Sequence, residues 1–241
     1  MTARYMPGIF DVADLAQARA IILTPEGPCA DTETRWAHET PYLTGLIQAQ
    51  LGLQAGDVLL DFGCGVGRMA KPLIETTGCS VIGVDISPKM RTLAVAYVGS
   101  DRFIAVSPAQ LDFMAGAGLR VQAAIAIWVL QHCLDPDEEL ARIERSLAQE
   151  GACFVLNMPK RAVPALVETG GTRSFAWASD SVDVAALLQA RFAVEAAGVP
   201  GGPGVPPMAD VGAFWIHLRR KAAPSEKFAA RHKTCPPHSF G

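Results

Sequence analysis

The sequence lacks any run of about 18 uncharged apolar residues, so no segment suits a membrane-spanning helix. The opening Met1-Thr2-Ala3-Arg4-Tyr5 leads into no uninterrupted apolar stretch of the signal-peptide kind. A soluble, cytoplasmic protein with no membrane partner is expected. Its six cysteines, Cys29, Cys64, Cys79, Cys133, Cys153 and Cys235, include no pair three apart, which argues against a zinc ribbon or a dithiol redox pair. His232, Cys235 and His238 form a loose grouping of metal-ligand types, and no metal site is expected from it. There is no Walker phosphate loop, no Gly-x-Ser-x-Gly elbow and no His-Glu-x-x-His zinc helix.

Charge is sparse and uneven. Charged side chains make up 19% of the chain and the formal net charge is −3. Residues 1–218 carry 15 basic and 23 acidic groups, a balance of −8, whereas residues 219–241 carry six basic groups and one acidic, a balance of +5. An acidic body is wrong for a phosphate-binding face, so no nucleic-acid partner is expected. The basic end, with Pro224, Pro236 and Pro237, reads as a solvated, poorly ordered tail. Half of the 241 residues are hydrophobic, which excludes disorder throughout and suffices for a core without covalent staples.

From residue 56 onward, short apolar runs alternate with helical patterns. Strands are predicted at 57–62, 80–85, 102–106, 121–130 and 152–156, with helices after Arg68, after Ser87-Pro88 and after the acidic Asp135-Pro136-Asp137-Glu138. A helix at 184–190 and two strands at 192–196 and 214–218 follow, separated by a glycine–proline loop at 198–207. This alternation implies right-handed crossovers and a parallel sheet covered on both faces, an α/β doubly wound domain. Three parts are expected: a helical N-terminal extension at 1–55, the α/β domain at 56–220 and the tail at 221–241. In the extension, a helix is predicted at 12–23, and Thr40-Pro41 reads as the start of another that reaches Leu51. Arg35, Trp36, His38, Glu39 and Tyr42 gather just ahead of that start.

The sharpest motif is Asp61-Phe62-Gly63-Cys64-Gly65-Val66-Gly67-Arg68, between the first strand and its helix. Glycines there allow a tight turn and let a ligand lie against bare main chain, and the N–H groups opening the next helix favour a negative group. Asp85 follows Gly63 by 22 positions, at the end of the second strand, where a carboxylate can accept both hydroxyls of a ribose. A nucleoside across the carboxyl edge of the sheet satisfies both features. The nicotinamide fingerprint needs its third glycine where Arg68 stands, so a dinucleotide oxidoreductase is disfavoured.

These segments resemble the class I S-adenosylmethionine-dependent methyltransferases of the small-molecule branch. Residues 58–68 resemble that family's first motif, Val81-Ile82-Gly83-Val84-Asp85-Ile86-Ser87-Pro88-Lys89-Met90 its acidic second motif, and Ile127-Trp128-Val129-Leu130-Gln131-His132 its strand-four motif. The resemblance implies a Rossmann-like, seven-stranded, mostly parallel sheet of order 3-2-1-4-5-7-6 with the seventh strand antiparallel. It implies S-adenosylmethionine (SAM) as cofactor, S-adenosylhomocysteine as product and a small-molecule acceptor methylated on oxygen or nitrogen. The cofactor set it implies is Asp61, Gly63, Cys64, Gly65, Gly67, Arg68, Asp85 and Ile86. The family's acidic residue after strand three is replaced by Ser107, and its Phe-Asp at the start of strand four by Val121-Gln122. Adenine is therefore expected to rest on Ile86, with polar contacts from Ser107, Ala109 or Gln110.

Methyl transfer from a sulfonium is a direct displacement whose rate comes largely from holding two partners in line. His132, at the end of strand four, is the candidate base for a protonated acceptor, with packing at the helix entrance the alternative. Asp61 either supports the glycine turn or approaches the amino end of SAM. Trp128 and Gln131 suit either core or pocket, and Trp36 and Tyr42 suit the wall of the SAM pocket. His38 and Glu39 are further polar candidates. Acceptor choice is expected from the extension, from 157–181 and from the 198–207 loop, with Asn157, Met158, Phe175 and Trp177 as lining. A SAM-binding protein of this fold with altered or lost transfer chemistry, or a non-catalytic partner subunit, is the other reading.

Overall fold

A computed structural model describes residues 3–23, 31–169, 172–202, 205 and 212–221. Most of the tail, Cys29, Cys235, the His232–His238 grouping and part of the 198–207 loop lie outside the described residues. The chain begins with β1 (Ala3–Tyr5), α1 (Leu15–Ile22) and α2 (Thr32–Leu51). It continues through β2 (Val58–Phe62), α3 (Ala70–Thr77), β3 (Ser80–Val84), α4 (Pro88–Val98), β4 (Phe103–Val106) and α5 (Pro108–Gly116). The second half holds β5 (Val121–Ile127), α6 (Pro136–Ser146), β6 (Leu147–Asn157), β7 (Val163–Thr169), β8 (Thr172–Ala178), α7 (Val184–Arg191), β9 (Phe192–Gly198) and β10 (Phe214–Arg220).

Seven strands form one sheet in the order β4-β3-β2-β5-β6-β10-β9. Counted along the chain from β2, that is 3-2-1-4-5-7-6. β10 runs antiparallel to both β6 and β9, while the β2, β3, β4, β5 and β6 pairings are parallel. Successive residues of each strand face opposite sides. Leu60, Ile82, Ala124 and Val155 pack on Leu111, Leu140, Ile143 and Leu188 of α5, α6 and α7. Leu59, Val81, Ile125 and Phe154 pack on Ile47, Leu73, Ala94 and Val98 of α2, α3 and α4. Burying each such leucine or isoleucine is worth about 1.5–3 kcal/mol, which is why these central runs carry almost no polar residue. Gln122 is an exception with a purpose: its side-chain oxygen accepts the Val58 N–H at 2.8 Å and ties the start of β5 to the start of β2.

The extension departs from expectation in three ways. α1 starts at Leu15, because Asp14 caps it by accepting the Gln17 N–H at 2.9 Å. Thr40-Pro41 does not begin a helix: α2 starts eight residues earlier, where Asp31 accepts the Thr34 N–H at 2.7 Å, and Pro41 lies inside it. Proline costs that helix one backbone bond, but the buried face of Arg35, Trp36, Glu39, Leu43, Thr44 and Ile47 continues past it, and tertiary packing wins. The extension is also not purely helical. Ala3–Tyr5 pairs with Val167–Ala165 of β7, and β7 pairs with β8, giving a second, three-stranded antiparallel sheet from the start of the extension and the 157–181 segment expected to govern acceptor choice. Among the described residues, no helix is long and apolar enough to cross a membrane.

Candidate functional site

The turn after β2 closes on the neighbouring strand. The N–H groups of Gly63 and Cys64 both donate to the Val84 carbonyl, at 2.8 and 2.9 Å, and Gly67 donates to Cys64 at 2.8 Å. Gly63, Gly65 and Gly67 have φ of 74°, 52° and 79°, a region that L side chains rarely adopt. What lies over them is protein as well as space. A Cβ at Gly63 would meet Val129 Cγ2 at 2.3 Å, one at Gly65 would meet Ile22 Cδ1 at 2.8 Å, and one at Gly67 would meet Val98 Cγ2 at 2.4 Å. Gly67 therefore serves the packing of α4 and does not border the cavity described below. Gly67→Ala is expected to destabilise the protein, and Val98→Ala should cost less in that background than in the wild type, a coupling that a double-mutant cycle in urea reads directly.

Asp85 sits at the carboxyl edge beside this turn. One of its oxygens accepts the Gly65 N–H at 3.0 Å and the other the Ser87 N–H at 2.9 Å, leaving lone pairs on both. Burial raises its pKa, opposed by those two hydrogen bonds. Asp61, the fourth residue of β2, is 3% exposed, and burial together with the Asp85 charge pushes its pKa up to about 7. Its Oδ2 is buried with no hydrogen-bond partner. A buried carboxylate oxygen without a donor is costly. It fits a ligand that brings a cationic N–H.

Both carboxylates face a cavity of about 1050 Å³, slightly above the roughly 300–1,000 Å³ usual for one ligand. Of the predicted cofactor residues, Asp61, Gly63, Cys64, Gly65, Arg68, Asp85, Ile86 and Trp128 line it, as does the candidate base His132. Met158 and Trp177, predicted as acceptor contacts, line it too, and so does Gln131. Phe175 stands outside the wall, edge-on to the Trp177 ring at 5.7 Å. Asn157 is fully buried beneath the wall, accepting the Gln131 N–H at 3.3 Å.

Gly67, Ser107, Ala109, Trp36 and Tyr42 do not border this cavity. Ser107 and Gln110 spend their polar groups on each other in a capping box that starts α5, so Pro108 meets the cavity instead. Trp36 lies under the guanidinium groups of Arg19, at 4.5 Å, and Arg68, at 5.4 Å, with Tyr97 edge-on to it. The Tyr42 hydroxyl accepts the Gly201 N–H at 3.0 Å and holds the glycine–proline loop. Arg68 borders the cavity but its charge is spent elsewhere: it donates to Thr40 Oγ1 at 2.9 Å and pairs with Glu39 at 3.4 Å, which itself pairs with Arg35 at 2.6 Å. Burial lowers the Arg68 pKa to about 10 against the pull of Glu39. His38 is exposed.

His132 is wired on both nitrogens. Gln131 Oε1 accepts the Met158 N–H at 2.7 Å, which turns its amide nitrogen toward His132 Nε2 at 3.1 Å and leaves Nδ1–H to donate to the Ala162 carbonyl at 2.8 Å. Burial lowers its pKa, so the ring is neutral at pH 7. The ring also lies 4.6 Å from that of Trp177. Trp128 has φ of 59°, a strained position for an aromatic residue, and its indole N–H is buried without a partner.

Several wall residues had no sequence signal. Tyr5, Pro7 and Phe10 reach the cavity from the first ten residues, and Ile21 and Ile22 from α1. Leu134 and Glu139 come from the start of α6 and the loop before it. Only pairing of β1 with β7 reveals the first group, and no local pattern announces it.

Residues 60–155 match the family model for a methyltransferase domain. Sterol 24-C-methyltransferase of Saccharomyces cerevisiae is 39% identical over 69 residues, which are 27% of this chain and 16% of that enzyme. A S-adenosylmethionine-dependent methyltransferase from Mesorhizobium loti superposes with a TM-score of 0.53 at 18% identity, covering 77% of this chain and all (100%) of the other. The [4+2]-cyclase SpnF superposes with a TM-score of 0.55 at 19% identity, covering 76% of this chain and 81% of its own. At these identities the structures show a shared fold. Residues 60–155 are thus similar to a methyltransferase domain, and the fold around them is one shared with S-adenosylmethionine-dependent methyltransferases.

Proposed function

We propose that the protein transfers a methyl group from SAM to an oxygen or nitrogen of a small-molecule acceptor. The observation that carries this reading is the pair of carboxylates flanking the glycine turn, Asp61 buried with an unsatisfied oxygen and Asp85 half-buried, at the edge of a cavity of about 1050 Å³. When bound, SAM supplies an electrophilic methyl on a positively charged sulfur. Asp85 would take the ribose hydroxyls, Asp61 Oδ2 the ammonium of the methionyl end, and Ile86 with Pro108 the adenine. Trp128 would offer its indole N–H to the same ligand.

The chain's own contribution is chiefly orientation, since alignment of two partners alone can supply several kcal/mol of barrier reduction. His132 would wall the acceptor side. As a base it would need Gln131 to release Nε2, and its neutral state at pH 7 then allows it to take a proton. The acidic body supports a small-molecule acceptor over nucleic acid.

Calorimetry with SAM, S-adenosylhomocysteine and NAD tests the reading. Both sulfur nucleosides are expected to bind and NAD not to bind, with Asp85→Asn and Gly65→Val each weakening S-adenosylhomocysteine by about tenfold or more. Full affinity in both variants sinks the assignment. A second reading has one specific support, that a [4+2]-cyclase shares the fold. A SAM-binding protein with altered chemistry would bind the nucleosides yet leave methyl-labelled SAM intact in an extract of its source cells.

A further inference from the structure

The cavity wall is unequal in charge and polarity. Among the described residues, the two guanidinium groups that line it, Arg35 and Arg68, both pair with Glu39, and no lysine lines it. Four carboxylates among the described residues line it: Asp61 and Asp85 at the glycine turn, and Asp135 and Glu139 at the start of α6. Glu139 is paired with Arg142 from within its own helix, and Asp135 caps that helix by accepting the Glu138 N–H at 3.1 Å. His132 is neutral and bonded on both nitrogens. The cation nearest this end among the described residues, Arg161, donates to the Leu134 carbonyl and is already paired with Asp180, so an incoming anion meets no unpaired described counter-charge, and burying an unpaired anion is expensive.

The same end is rich in apolar surface. Phe10 and Trp177 flank the His132 ring at 6.3 and 4.6 Å. At the mouth, large apolar side chains stay in solvent: Leu134 is 55% exposed and Trp177 43%, although both border the cavity. Phe175, touching Trp177, is 47% exposed. Exposed apolar side chains gathered around an opening mark a binding surface, whereas scattered ones need no explanation.

We infer that the acceptor is a lipophilic molecule without negative charge, entering over Leu134 and Trp177 and lying against Phe10 and the His132 ring. This rests on the methyltransferase reading for the word acceptor; the ligand class itself rests on the wall. The probes are N-phenylnaphthylamine, which is neutral, and anilinonaphthalene sulfonate, which adds one sulfonate to the same ring system. Each is titrated by fluorescence with and without saturating S-adenosylhomocysteine. The neutral probe is expected to bind about tenfold tighter or more than the anionic one, a discrimination the missing counter-charge implies. Trp177→Ala should weaken the neutral probe, and Leu134→Lys should narrow the preference to about threefold or less by supplying a cation. Equal or tighter binding of the sulfonate, no binding of the neutral probe, or insensitivity to both substitutions overturns the inference. Calorimetry of S-adenosylhomocysteine on the same samples reads the cofactor assignment separately, so a protein that takes the neutral probe but no sulfur nucleoside sinks the methyltransferase reading and leaves this one standing.

Discussion

Asp61→Asn is expected to make the ligand-free protein more stable at pH 8 and a poorer binder of its cofactor. The Asp61 carboxyl is raised from the ordinary 3.8 to about 7 by burial and by Asp85. The folded state therefore holds a proton that the unfolded state has released between pH 4 and 7. Stability from this group is present below pH 4 and is lost as pH rises toward 7, reaching a deficit of about 4 kcal/mol above it. An amide carries no such deficit. The gain in unfolding free energy should be about 2–4 kcal/mol at pH 8 and shrink toward zero near pH 4, as urea melts at several pH values will show. Wild-type affinity for S-adenosylhomocysteine should fall about tenfold from pH 8 to pH 6, as Asp61 gains its proton, and the variant should be weaker and flat over that range.

Gly63→Ala is the largest single loss of stability expected. The residue holds a φ of 74°, and an added Cβ would lie 2.3 Å from Val129 Cγ2 and 2.6 Å from Val129 Cβ. Backbone strain costs about 1–2 kcal/mol in the left-handed region, and forced overlap in a packed core about 1–3 kcal/mol more. Gly56 is the control: its φ is 98°, yet a Cβ there would meet nothing within 4 Å. Gly56→Ala should show the conformational part alone, and the difference between the two variants in chemical denaturation isolates the clash. Equal costs would mean that Val129 moves away freely, and the turn would then be looser than its contacts imply.

The parallel sheet was legible because its strands are buried on both faces and so appear as apolar runs such as Val58-Leu59-Leu60 and Ala123 to Ile127. Caps at Ser87 and Asp135 marked their helices for the same local reason, a side-chain oxygen answering an unpaired N–H. The glycine turn and Asp85 were legible as a spacing. What escaped depends on partners distant in sequence. Ala3–Tyr5 is a strand only because Val167–Ala165 lies beside it, and β7 forms around Pro164, a residue unfavourable within a strand, with Val163, Ala165 and Val167 buried. Trp36 and Tyr42 were placed in the pocket wall from residue type, but their orientation was decided by Arg19, Arg68 and Gly201 from three other segments. A proline preceded by threonine reads as a helix start, and here the apolar period of α2 outweighed it.

Joining the first strand to the seventh closes a loop of most of the chain for three residue pairs. Closing so long a circuit is entropically unfavourable and is repaid by little buried surface, so this seam belongs to the weakest cooperative unit of the molecule. Hydrogen exchange at Tyr5 and Met6 would run far ahead of exchange at Leu60 or Ile125 in the central sheet. The wall carrying Tyr5 is thus expected to unzip and re-form while the strands carrying Asp61 and Asp85 stay folded.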